Sequence, residues 1–167
     1  MIKFSDKYIP QVISINISGG GIPKYPIESV YIKEGGLQGD GHNHEKHYRP
    51  NQAVSLQDIE RLVDLRQEGY KIYAGATGEN LTVSNLDVNN LPVGTRLKFS
   101  GGVEIELSKI RQPCYVLDSI DPRLKSDILG RCGYYAKVIK EGLVSVYETI
   151  QIVRPDYEQA GCISAIQ

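Results

Sequence analysis

Cys114 stands in the run Lys109-Ile110-Arg111-Gln112-Pro113-Cys114-Tyr115, with two basic residues just upstream and the start of a helical turn expected just downstream. Cationic neighbours and helix-start amides both favour a thiolate, the form of cysteine that attacks electrophiles and ligates soft metals. Cys114 is therefore the first candidate for chemistry. Cys132 and Cys162 lack such a flank and read as packing thiols, the second near a chain end. Three widely spaced cysteines do not make a secreted disulfide framework. The thiols are expected to be free, in a reducing compartment, the cytoplasm.

Two further segments are too polar or too rich in glycine to serve only as scaffold. The run from Gly36 to Pro50, centred on Gly39-Asp40-Gly41-His42-Asn43-His44-Glu45-Lys46-His47, holds every histidine of the chain. His42, His44 and His47 with Asp40 are the residue types that ligate transition metals. The same loop could instead contact an anionic ligand or simply be solvated. Its short spacing, with no second histidine cluster, makes anion contact the expectation and a zinc site not. The other segment, Gly75-Ala76-Thr77-Gly78-Glu79-Asn80-Leu81-Thr82-Val83, is a glycine turn leading into a strand. Its glycines let backbone amides approach a ligand, and Asn80 can both donate and accept at the strand mouth.

The elements that must position these segments are mostly strands. Short β-branched and aromatic runs lie between Gly, Pro and Asn punctuation at 11–17, 27–33, 80–83, 95–99, 103–107, 134–139 and 145–153. Ser100-Gly101-Gly102 supplies the turn of a hairpin. One helix is expected where Leu56, Ile59, Leu62, Val63 and Leu65 share a face, with Ser55 as cap and Gly69 at the end, and a weaker one over 122–129. Many short strands with one or two short helices predict a mainly β fold, a closed or nearly closed barrel or a sandwich. At 167 residues, without repeat or linker, the chain reads as one domain, a size that buries roughly two-thirds of the unfolded surface. Its 19 basic and 20 acidic residues nearly cancel, which argues against nucleic acid or an anionic membrane as partner. No apolar run reaches the roughly 20 residues of a span, and the first residues lack a signal-peptide pattern.

The order of the polar segments resembles a known family. Gly39-Asp40-Gly41-His42, then Gln52-Ala53-Val54-Ser55-Leu56, then Gly78-Glu79-Asn80-Leu81-Thr82-Val83, Leu91-Pro92-Val93-Gly94-Thr95-Arg96-Leu97 and Arg111-Gln112-Pro113-Cys114 are similar in kind and sequence to the free-standing bacterial MOSC domain. The resemblance covers roughly residues 10–153. Two stretches depart from it: Tyr48-Arg49-Pro50-Asn51 stands where relatives carry a double glycine, and Val146-Tyr147-Glu148-Thr149 where they carry a Gly-Asp turn. The resemblance implies a twisted β-barrel that binds the molybdenum cofactor without pyridoxal phosphate, with Cys114 as the hallmark cysteine. That cysteine would either carry sulfur as a persulfide, exchanged with a sulfur donor or acceptor protein, or ligate molybdenum while N-hydroxylated compounds are reduced with electrons from an external reductase. Gly78, Glu79, Asn80, Arg111, His42, Arg49 and Lys137 are then the candidate cofactor contacts, the basic ones for the pterin phosphate. The barrel mouth is expected to gather the segments around His42, Asn80 and Cys114. Two other classes stay open: a structural or regulatory barrel with no ligand, and a cupin-like metal barrel built on His42 and His44. The second lacks the downstream histidine motif it needs.

Overall fold

Alternating burial appears where the sequence alternates and continuous burial where a strand is covered on both sides. The computed structural model describes residues 8–41 and 49–156. Eleven strands are present among them: β1 (Gln11–Ile17), β2 (Tyr25–Ile27), β3 (Ser29–Lys33), β4 (Gly36–Leu37), β5 (Val54–Asp58), β6 (Leu81–Ser84), β7 (Arg96–Phe99), β8 (Glu104–Ile110), β9 (Tyr134–Lys140), β10 (Gly142–Ser145) and β11 (Ile150–Val153). The helices are α1 (Ile59–Gln67) and the single turn α2 (Leu124–Asp127). The fold is mainly β. Eight strands form a mixed sheet in the order β11-β7-β8-β9-β5-β6-β1-β2, and β10-β3-β4 form a second, smaller one.

Within the large sheet β5 and β6 run parallel and every other pair is antiparallel. The barrel expected from the sequence is met by a sheet whose ends approach without a continuous ladder among the described residues. One bridge, Gln11 to Thr149, joins them, with hydrogen bonds from the Val12 amide to the Glu148 carbonyl, Tyr147 to Val12 and Ile150 to Pro10. Tyr147 there takes a left-handed φ of 72°. It lies in the stretch that departs from the Gly-Asp pattern, and a non-glycine residue bears some strain in that region.

The hairpin at 100–102 forms as expected between β7 and β8, the Gly102 amide donating to the Phe99 carbonyl. The expected helix is real but starts later. Ser55 and Leu56 belong to β5, all of whose residues are buried between β6 and β9, so no alternation marks it as a strand. The expected strand at 27–33 is two strands, and that at 145–153 is interrupted at Tyr147. Apolar side chains sort into a large cluster inside the sheets and a small one under the helices, made by Leu62, Leu65, Tyr70, Ile72, Leu117, Leu124, Ile128 and Cys132.

Candidate functional site

A buried polar hub fixes the chain segments that border the site. The Glu79 carboxylate, fully buried, accepts from the Gly75 amide at 2.7 Å, from Thr77 Oγ1 at 2.7 Å and from Thr82 Oγ1 at 2.9 Å. Asn80 Oδ1 accepts from the Ser55 amide and hydroxyl, both at 3.1 Å, and its Nδ2 donates to Asp40 at 2.9 Å and to the Asn16 carbonyl at 3.3 Å. Asp40 in turn pairs with Lys24 and accepts from the Ser18 amide at 3.0 Å. These bonds tie together residues 16, 40, 55 and 80. Gly41, one residue on, packs backbone to backbone, since a Cβ there would stand 2.3 Å from the Gly19 carbonyl oxygen.

Above this hub lies a cleft of about 240 Å³ bordered by Ser18, Lys24, Gly41, Gly78, Arg111 and Cys114. Arg111 forms its floor. Just before it, a β-bulge between Leu107 and Lys109 breaks the β8–β9 register, and bulges of this kind re-aim the following residues. The ladder then resumes, the Arg111 amide donating to the Gly133 carbonyl at 3.0 Å. The guanidinium is 9% exposed, donates from its Nη2 to the Thr77 carbonyl at 2.9 Å and from its Nη1 to the Cys132 carbonyl at 3.2 Å, and lies 5.7 Å from the centre of the Tyr135 ring. Its Nε is buried and bonds to nothing. Neither bonded acceptor is a carboxylate, and a buried cation without a counter-charge is costly. That cost is offset when an anion fills the cleft. Cys114 is exposed at the rim, with extended backbone, and opens the 3-10 turn Tyr115–Ser119. The helical turn expected after it is thus a 3-10 turn. Gly78, with φ of +87°, leaves room beside Ile22 that a Cβ would fill at 2.9 Å.

The residues singled out from the sequence divide accordingly. Cys114, Arg111 and Gly78 border one cleft, with Gly41 at the foot of the histidine segment. Glu79 and Asn80 lie behind it, and their side chains hold the hub together rather than face a ligand. Asp40 is engaged by Lys24, Asn80 and Ser18. Lys137 lies elsewhere: it pairs with Glu106 at 3.2 Å and borders a separate cleft of about 430 Å³ with Asn51, Ser108 and Lys109. Lys137 shares a face of β9 with Tyr135, which borders the Cys114 cleft, but lies further along the strand and does not itself border that cleft. Arg49 is exposed beside the 3-10 turn Pro50–Gln52 and does not border the cleft. His42, His44, His47 and Cys162 lie outside the described residues. Lys24, Thr77 and Cys132 join the site without having been expected. Cys132 is 2% exposed, and burial pushes its thiol up from the ordinary range, partly countered by the Arg111 charge.

The lining suits a molybdenum cofactor: a soft thiol at the rim, guanidinium and lysine charge for an anionic group, and glycine backbone at close approach. The volume is below the roughly 300 Å³ of a common small-molecule pocket, so it fits one end of a ligand. The chain is 32% identical over 138 residues to a reductase of Gibberella moniliformis, an alignment that takes in 77% of this chain and 24% of that protein. It thus spans about a quarter of the length of that relative. Solved structures with the same fold include YiiM from Geobacillus stearothermophilus (26% identity, TM-score 0.72, covering 87% of this chain and 75% of that one) and YuaD from Bacillus subtilis (20% identity, TM-score 0.73, covering 88% and 97%). The MOSC domain profile matches residues 43–151, most of the chain, including Asn80, Arg111 and Cys114 and the strands β6 and β8 beside them. The protein belongs to the MOSC domain family.

Proposed function

We propose that this chain binds the molybdenum cofactor and, with an external electron-donating reductase, reduces N-hydroxylated compounds, Cys114 holding the metal. The observation that carries the reading is the pairing of an exposed thiol with a buried, carboxylate-free Arg111 in one cleft. When bound, the cofactor supplies two-electron chemistry at the metal. The chain's own residues bind and orient it. The Cys114 thiolate is a soft ligand. The Arg111 guanidinium offers positive charge to an anionic group beside Lys24, itself paired with Asp40, and the Thr77 and Cys132 carbonyls keep the guanidinium from turning away. The relative named as a reductase supports this reading over a module without a ligand. We take the sheet with its bridged ends as the family's twisted barrel, and the chain as one cytoplasmic domain.

A second reading is favoured by the position of Cys114 at the rim, where another protein can reach it. In it, the cysteine carries sulfur as a persulfide received from a donor protein. Protein purified from a host that makes the cofactor separates the two. Bound molybdenum, retained by the wild type and lost in Cys114→Ser with an unchanged circular dichroism spectrum, supports the reductase reading. A metal-free protein whose Cys114 peptide carries one extra sulfur supports the second. Full molybdenum loading in Cys114→Ser would overturn both.

A further inference from the structure

The Cys114 cleft holds a second thiol that the proposed function does not use. Cys132 borders it together with Cys114, close enough for the charge of Cys114 to act on the Cys132 thiol. The register of β8 and β9 explains why. Ile110 pairs with Tyr134, and the Arg111 amide bonds to the Gly133 carbonyl, so the end of the β8–β9 pairing brings Cys132 beside the segment that leads to Cys114. Arg111, three residues before Cys114, also donates from its Nη1 to the Cys132 carbonyl at 3.2 Å, so Cys132 lies against the segment that leads to Cys114, and a disulfide needs their Cα atoms brought to roughly 4.4–6.8 Å. The two differ in access: Cys114 is exposed and Cys132 buried behind it. A solvent-borne oxidant therefore meets Cys114 first.

We propose that Cys114 and Cys132 form a peroxide-oxidised dithiol site, in which Cys114 is the attacked thiol and Cys132 the resolving one. Cys114 Sγ attacks the O–O bond of hydrogen peroxide, forming an S–O bond and a sulfenic acid and releasing one water. Cys132 Sγ then displaces the hydroxyl from the Cys114 sulfur, forming the S–S bond, and its proton leaves with that hydroxyl as the second water. The two thiols together lose two electrons and two protons, and the peroxide takes both. A small dithiol restores the pair by exchange. The Arg111 guanidinium, anchored on the Cys132 carbonyl, stabilises the anion that Cys132 becomes as it attacks. Disulfide formation needs no cofactor. Only its consequence, loss of the thiolate for the metal, rests on the proposed function.

The test uses the full chain, reduced and free of cofactor, treated with hydrogen peroxide, alkylated and digested without reductant for mass spectrometry. A Cys114–Cys132 linked peptide that dithiothreitol removes is the expected product. Cys132→Ala should instead accumulate sulfenic acid at Cys114, with a dimedone adduct about tenfold more abundant than in wild type. The wild-type peptide map is decisive by itself if that variant fails to fold. Cys132 still fully alkylated while Cys114 proceeds to sulfinic acid, or Cys114 linked to Cys162 instead, would overturn the proposal.

Discussion

Among the described residues, Arg111 and Asp58 are the two side chains that burial leaves with an unmet demand. A lysine at position 111 keeps the charge but lacks the fork that reaches two carbonyls at once. Arg111→Lys should leave one carbonyl unpaired, cost about 1–3 kcal/mol, and abolish any rise in melting temperature that inorganic phosphate gives the wild type. A melt of the variant as stable and as phosphate-responsive as the wild type would count against the anion-binding role. Asp58 is 1% exposed, with Oδ2 accepting from the Val88 amide at 2.9 Å and Oδ1 bonded to nothing. Burial pushes its carboxyl up to about 6 from 3.8, against the Val88 bond. Because folding raises this value, the group's contribution is whole below the unfolded value and is lost as pH rises through about 6. From pH 5 to 7.5 that loss should reach on the order of 1 kcal/mol in chemical denaturation, and Asp58→Asn should flatten the slope. At this scale Cys114 and Arg111 were legible because they sit in one short run. Lys24, Thr77 and Cys132 were not, because only pairings between distant strands bring them to that run.

Elements are held in register by a few positions where a side chain has no room. Gly133 is the tightest of them, with φ of +84° and a Cβ position 1.9 Å from the Leu56 carbonyl oxygen. Gly133→Ala should therefore force β9 away from β5 and lower stability by about 3 kcal/mol or more, as an over-packed, left-handed position does. Gly102 in the hairpin has a similar φ but open space around it, so Gly102→Ala should cost only about 1 kcal/mol. Equal losses in urea titrations of the two variants would show that the steric reading of Gly133 is wrong. The sequence marks strands best where one face is wet. β8 alternates and is found, whereas β5 is covered on both sides and its Leu56 reads as the first turn of α1. Glu79 and Asn80 stand out in sequence as ligand contacts, yet the same hydrogen-bonding capacity joins the loops beneath the cleft.

For the molecule as a whole, the large mixed sheet does not close into a barrel among the described residues, and a single bridge joins β1 to the approach to β11. The division of the core matters more for the cleft. Twenty-two buried apolar residues fill the sheet interior and eight fill the space under the helices. Leu117 and Cys132, which border the cleft, belong to the smaller group, while the Gly78 side is tied to the sheet through the Thr77–Glu79–Thr82 bonds. Such a small group can come apart on its own at a fraction of the cost of global unfolding. The amides of Leu117, Ile128 and Arg131, bonded to Cys114, Leu124 and Ile128, should then exchange with deuterium faster than those of β5 and β9 and through a separate opening. Uniform protection across both groups would disprove it. With such an opening, one wall of the cleft would act as a door on its own hinge: a ligand bulkier than the resting space would enter at a rate set by how often that wall swings, a rate expected to level off at high ligand concentration.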